Sequence, residues 1–161
     1  MFLGIDVGTR VVGYAKINRE GVVVSSGSKS LRAESTGDQW DNFVGRLAIL
    51  SKWLPQLFDM PYDVVGIECP YAGPNPQVYL KLGIVFGYVA HAAQRRGISI
   101  IRVAPTQAKK ALSGNGRTTK HEMVQCARTF TGLDITSHDE ADAIGVALFT
   151  KEFFDVRVHM V

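Results

Sequence analysis

The opening stretch MFLGIDVGTRVVGYAKI (1–17) holds two β-rich runs, MFLGIDVG and RVVGYAKI, joined at Thr9 with glycines at Gly8 and Gly13. A third run, GVVVSSGS, starts at Gly21, and three strands with connections this short make an antiparallel meander. Inside the first run stands a carboxylate. Asp6 lies between Ile5 and Val7, whose side chains take the opposite face of the strand. An ionised group so placed is costly to desolvate unless something pairs with it. Taken alone, Asp6 reads equally well as a cap on the turn before Gly8.

Downstream, helical and extended patterns alternate. Trp40, Phe43, Leu47, Leu50, Leu54 and Leu57 recur at helical spacing between Asp38 and Phe58. DVVGIEC (63–69) is a compact buried strand closing on Glu68, a buried helix, apolar nearly all round, runs from about Gln77 to Arg96, and GISIIRVA (97–104) is another strand. Pro105 opens a short helix, SGNG (113–116) breaks the chain, and helices near 119–130 and 137–154 complete it. Three strands followed by αβαβαα predict an α/β layered fold, its mixed sheet made of three antiparallel strands and then parallel ones, flanked by helices. With 161 residues, 46% of them hydrophobic, and no repeats or linkers, the expectation is one domain over 1–161.

Cys69 and Cys126 are too few for a disulfide framework and form no C-x-x-C pair, which suits a reducing interior. The first residues lack a basic n-region, and no apolar run is long enough to span a bilayer. A soluble cytoplasmic protein with no membrane partner is expected. Its net charge of +3 conceals two opposed regions: Arg95 to Arg128 carries eight basic residues against Glu122, or +7, which leaves −4 elsewhere. A basic segment beside an acidic remainder suits a protein that holds a polyanion near a cation site, although a solvated helix face gives the same count.

The last helix, SHDEADAIGVALF (137–149), carries three acids in an otherwise apolar segment. Ser137 and Glu140 form a capping-box pattern, and acids in a first turn complement the helix dipole. Asp142 lies beyond the reach of capping. It follows Asp139 by three residues, so the two carboxylates share a face while Ala141, Ile144, Gly145 and Leu148 turn toward a core. If the strands of Asp6 and Glu68 are neighbours, the helix closes over both and gathers four carboxylates. Oxygen donors without a His or Cys cluster suit Mg²⁺ or Mn²⁺ better than Zn²⁺, and such a site accommodates two ions for phosphodiester chemistry.

With these residues in view, the chain resembles the RuvC-type Holliday junction resolvases of the ribonuclease H-like superfamily. The matching stretches are LGIDVGTRVVGYA, VGIECPY, YLKLGIVFGYVAHAA, PTQAKKALSGNGRTTKHEMVQ and HDEADAIGVAL, in the family's order. The resemblance implies that Asp6, Glu68, Asp139 and Asp142 are metal ligands and that Lys109 and Lys120 contact the scissile region. It implies a homodimer nicking opposite strands of a four-way DNA junction, with the Gly83–Gly87 helix at the dimer interface unless that pair serves packing within the chain. It also puts Tyr71, in the loop CPYAGPNP, where an aromatic stacks at the junction centre; a tyrosine folded back as a lid on the core is the alternative. Lys110 and Arg117 complete the expected DNA-binding set, and His138 reads as an exposed histidine rather than one orienting water. Val7 replaces a proline common in the family, Cys69 and Pro70 follow the glutamate, and the chain stops at Val161, soon after the last helix. A compact member of this kind suits a phage enzyme acting on several branched structures.

Three other readings compete. An actin-like ATPase shares the first motif but needs a second phosphate motif and an adenosine-binding half. A ribonuclease H-fold nuclease acting on structured RNA, or on flaps and forks, keeps the same acids. A non-catalytic branched-DNA binder has no reason to hold four carboxylates beside phosphate.

Overall fold

The computed structural model describes residues 1–34 and 37–158; Val161 lies outside them. The elements are β1 (Phe2–Asp6), β2 (Val11–Ile17), β3 (Val23–Ser30), α1 (Gln39–Leu57), β4 (Val64–Glu68), α2 (Pro76–Gln94), β5 (Ile100–Val103), α3 (Pro105–Ser113), α4 (Lys120–Thr131) and α5 (His138–Val158). One five-stranded sheet runs in the order β3-β2-β1-β4-β5. β1 pairs antiparallel with β2, and β2 with β3; β1 pairs parallel with β4, and β4 with β5. The expected mixed α/β sheet is therefore present, within a ribonuclease H-like arrangement. The short helix expected at Pro105 is present with 9 residues, so three helices follow β5.

Side-chain alternation assigns the two faces of the sheet. Leu3, Ile5 and Val7 pack with Val65 and Ile67 against Phe43, Leu50 and Leu54 of α1 and Val85 and Val89 of α2. The opposite face presents Phe2, Ala15 and Val64 to Met123 and Ala127 of α4 and to Ala141, Ile144 and Ala147 of α5. α5 lies unusually close to the strands because glycines make room for it. A Cβ on Gly4 would fall 2.3 Å from the Ala147 nitrogen, and one on Gly66 would fall 1.8 Å from Thr150 Oγ1. Gly145 performs the same service toward α3, where the Ala108 carbonyl oxygen would stand 2.5 Å from an added Cβ.

α2 corrects one expectation. It is not buried all round: Val85, Val89 and Ala93 face the core, whereas Val78, Tyr79, Leu80 and Tyr88 are exposed. Its apolarity exceeds what one sheet face can cover. Gly83 and Gly87 look into open space, so packing within this chain does not explain them. Pro76 likewise belongs to α2 rather than to the loop before it, and the Asn75 side chain caps the helix by accepting from the amides of Gln77 and Val78.

Candidate active site

β1 and β4 run in parallel register, Gly4 beside Gly66 and Ile5 beside Ile67. Asp6 and Glu68, each the last residue of its strand, therefore emerge side by side at one edge of the sheet, on strands about 4.8 Å apart. Both share the face of Gly4 and Gly66, beneath α5. Asp139 is seated by β2. Gly13 is the register partner of Asp6, and a Cβ there would fall 1.9 Å from the Asp139 carbonyl oxygen. A glycine is what lets the first turn of α5 settle beside Asp6. Gly13→Ala is thus expected to lift that turn, lowering stability by about 1–3 kcal/mol and nuclease activity with it. Melting and cleavage assays check this, and an unaltered cleavage rate would show that the seat is dispensable.

The capping box at Ser137 is only half formed. The Ser137 hydroxyl accepts from the Glu140 amide at 3.3 Å, but the Glu140 carboxylate accepts from the Ser26 hydroxyl of β3 at 2.7 Å. Glu140 thereby anchors the head of α5 to the sheet, leaving Asp139 and Asp142 as the acids facing the strand ends. The complete capping box belongs to α4, where Thr119 and Glu122 satisfy each other's backbone amides. His138 is exposed, and its Nδ1 lies 3.2 Å from the Lys120 carbonyl, joining the heads of α4 and α5.

The electrostatics follow from crowding like charges in a poorly solvated place. Burial, reinforced by Glu68, Asp142 and Asp139, holds the Asp6 carboxyl well above the usual range, with Lys120 opposing. Burial and then Asp142 push Glu68 up to about 7, against Lys109 and Lys120. Burial also raises Asp142, with Lys120 and Lys109 as the main opposition. The structure thus brings Lys109 and Lys120 to the carboxylates. Lys110 is not with them: it borders a cavity between α3 and α5 with Phe149 and Glu152. Arg117 is exposed in the turn after α3, its amide donating to Asn115 Oδ1 at 3.0 Å.

Asp142 Oδ1 is buried and accepts no hydrogen bond. Orphaned acceptors of this kind are uncommon and call for a missing partner. A divalent cation fits: the candidate ligand atoms are all carboxylate oxygens, mutually repelling and short of hydrogen-bond donors. Among the described residues no group of three or more His, Cys, Asp or Glu forms a ready coordination shell. The arrangement suits an ion that keeps water or substrate oxygens as further ligands, as Mg²⁺ does when one or two carboxylates hold it.

Tyr71 projects from the loop between β4 and α2 with 77% of its surface exposed, which disposes of the core-lid alternative. The Cys69 amide ties the loop's base to the Val103 carbonyl at 2.8 Å. A larger cavity of about 710 Å³, lined by Val64, Ile100, Phe153 and Phe154, lies at the other end of the sheet, away from the acids. No helix among the described residues is long and apolar enough to cross a membrane.

Comparison with known proteins bears directly on this geometry. The family model described as crossover junction endodeoxyribonuclease RuvC matches residues 2–150. A protein of that name from Protochlamydia amoebophila is 33% identical over 155 residues, covering 92% of this chain and 88% of its own. One from Anaeromyxobacter sp. (strain K) is 35% identical over 150 residues, covering 91% and 77%. Among solved structures, Thermus thermophilus RuvC superposes with a TM-score of 0.68 at 25% identity, covering 98% of this chain and 96% of that one. The family model spans all four carboxylates and both lysines that act on them, and with these relatives matched over 88% and 77% of their own length, this chain belongs to the RuvC family.

Proposed function

We propose that this protein resolves four-way DNA junctions by paired, symmetric nicks, as a metal-dependent endonuclease whose ligands are Asp6, Glu68, Asp139 and Asp142. The observation that carries the reading is the juxtaposition of Asp6 and Glu68 at one sheet edge beneath the acidic head of α5, in a chain of the RuvC family. Two Mg²⁺ ions, or Mn²⁺ in their place, are the expected complement; bound there, such ions supply an activated water and stabilise the leaving oxygen. The chain's own contribution is positional. β1 and β4 fix two carboxylates in register, the Gly13 seat and the Ser26–Glu140 hydrogen bond fix the other two, and Lys109 and Lys120 bring positive charge to a strand of phosphates.

The working unit is a homodimer in which each chain contributes one nuclease domain. Its support is α2, whose Val78, Tyr79, Leu80 and Tyr88 are exposed beside two glycines that face open space. Exposed apolar residues gathered on one helix suit a second copy, and sedimentation of the purified protein checks it.

The decisive experiment compares Mg²⁺-dependent cleavage of a synthetic four-way junction with that of linear duplex, flap, single strand and structured RNA. Preference for the junction supports the reading; equal cutting of structured RNA overturns it. On that substrate Lys109→Ala and Lys120→Ala are each expected to slow cleavage. Each should also reduce the salt slope of junction binding by about 0.9, the value of one phosphate contact. Unchanged cleavage and slope in both variants would remove the lysines from the site.

A further inference from the structure

A second basic feature lies in the part of the chain whose sequence count is acidic. Arg10, Arg32 and Arg46 surround a cavity of about 360 Å³, completed by Val11, Ser30 and Ala33. They come from three places. Arg10 stands in the β1–β2 turn, Arg32 follows β3, and Arg46 is on α1. The cavity has a built frame: the Leu31 amide donates to the Arg10 carbonyl at 2.8 Å, and the Leu31 side chain is fully buried. Gly45 admits Ala33 against α1, where an added Cβ would stand 3.1 Å from the Ala33 methyl. Arg46 Nη1 reaches the Thr9 carbonyl at 3.5 Å, a weak contact that aims the guanidinium at the turn.

Among the described residues no carboxylate forms an ion pair with any of the three. Like charges gather there with no carboxylate in ion-pair reach, which makes the rim of the cavity a surface suited to an anion. Its location decides which anion. The end of β1, the start of β2 and the end of β3 share one edge of the sheet, the edge at which Asp6 and Glu68 emerge. The lateral step from β1 to β3 is roughly 10 Å, and Arg46 comes from α1, on the face opposite the acids, so a backbone crossing this end of the sheet meets the carboxylates on the α5 side and the arginines on the α1 side. Guanidinium forks match phosphate oxygens better than ammonium groups do.

We infer that Arg10, Arg32 and Arg46 form a phosphate-binding pocket that grips the DNA backbone beside the cleaved phosphate, setting how an arm of the substrate lies across the sheet edge. The pocket rests on the proposed junction-cleaving activity and adds a second anchor, remote from the Lys109–Lys120 side. Two anchors flanking the carboxylates fix a strand's direction, which one cannot.

The test uses the full chain with Arg10→Ala/Arg32→Ala; both side chains are exposed, so the fold is retained. Junction binding is measured against salt concentration, and then on junctions carrying uncharged methylphosphonate linkages at successive positions around the cleavage site. The salt slope is expected to fall by about 0.9 for each arginine that neutralises a phosphate, approaching 2 for the pair. One or two neutral linkages should weaken the wild type while leaving the double variant indifferent. An unchanged slope, or equal sensitivity of both proteins at every linkage, overturns the pocket. If the wild type cleaves the junction while the slope is unchanged, the pocket alone fails; if the wild type neither binds nor cleaves it, the proposed activity fails with it.

Discussion

Asp6→Asn is expected to abolish junction cleavage, by roughly 10³-fold or more, while junction binding stays intact or improves and the metal-free protein melts at a higher temperature. The first effect follows from removing one carboxylate of a set that holds divalent cations, since such ions contribute several kcal/mol to phosphodiester cleavage. The second follows from easing repulsion of phosphate. The third separates this site from an ordinary salt bridge. Asp6 is held well above its ordinary range by burial and by three other acids, so without a cation its charge is a liability that an amide does not carry. Glu68 gives the same liability a pH dependence. It ionises near 7 when folded against 4.5 ordinarily, so the folded chain keeps a proton that the unfolded chain has already lost. The contribution of Glu68 to stability is therefore full below about pH 4.5 and is lost as the pH rises through about 7, by about 3 kcal/mol in total. Melting of the metal-free wild type across that range should show the decline, and Mg²⁺ should reverse it by binding the folded state alone. Asp142→Asn should move the decline to lower pH, because Asp142 is the charge that raises Glu68 after burial. Wild-type cleavage by Asp6→Asn in Mg²⁺ would sink the four-carboxylate assignment.

The carboxylates were legible in the sequence because each breaks a local rule. Asp6 ends a strand whose other residues are buried, Glu68 does the same in β4, and Asp142 lies past the reach of capping. What joins them was not legible. Strand neighbours are set by the whole sheet, and nothing in LGID or VGIE states that β1 lies between β2 and β4. The glycines carried a signal of that arrangement: Gly4, Gly13 and Gly66 weaken strands unless another element must approach closely, and α5 is that element. Local pattern misassigned Glu140, because Ser26, 114 residues away, outcompetes the capping geometry. Apolar content misassigned α2 as well, since periodicity measures how much of a helix avoids water and not what covers it. Arg10, Arg32 and Arg46 escaped notice for the opposite reason: they are scattered in sequence among acids and converge only when β1, β2, β3 and α1 assemble.

Tyr71→Ala is expected to lose intact-junction cleavage by about fivefold to a hundredfold while keeping most activity on a junction with unpaired bases at the cleavage site. The ring stands 77% exposed, beyond Glu68, on a loop held at both ends: the Cys69 amide bonds the Val103 carbonyl, and Asn75 caps α2. Pro70 and Pro74 restrict φ within that short span, so presenting the ring adds little ordering cost. An aromatic this large and this exposed gains nothing from the core. Stacking against a base is worth about 1–3 kcal/mol, comparable to the few kcal/mol needed to unstack a base step, and the quoted rate range is that energy converted. Pre-opened substrate removes the step the ring assists, which is why the two junctions should separate. Tyr71→Phe keeps the stacking face and should behave as wild type. Because Tyr71 touches so little of the domain, none of these variants should shift the melting temperature. Equal losses of Tyr71→Ala on both junctions would assign the tyrosine to phosphate or metal-site contacts instead of to opening the junction, and a loss in Tyr71→Phe would point to its hydroxyl.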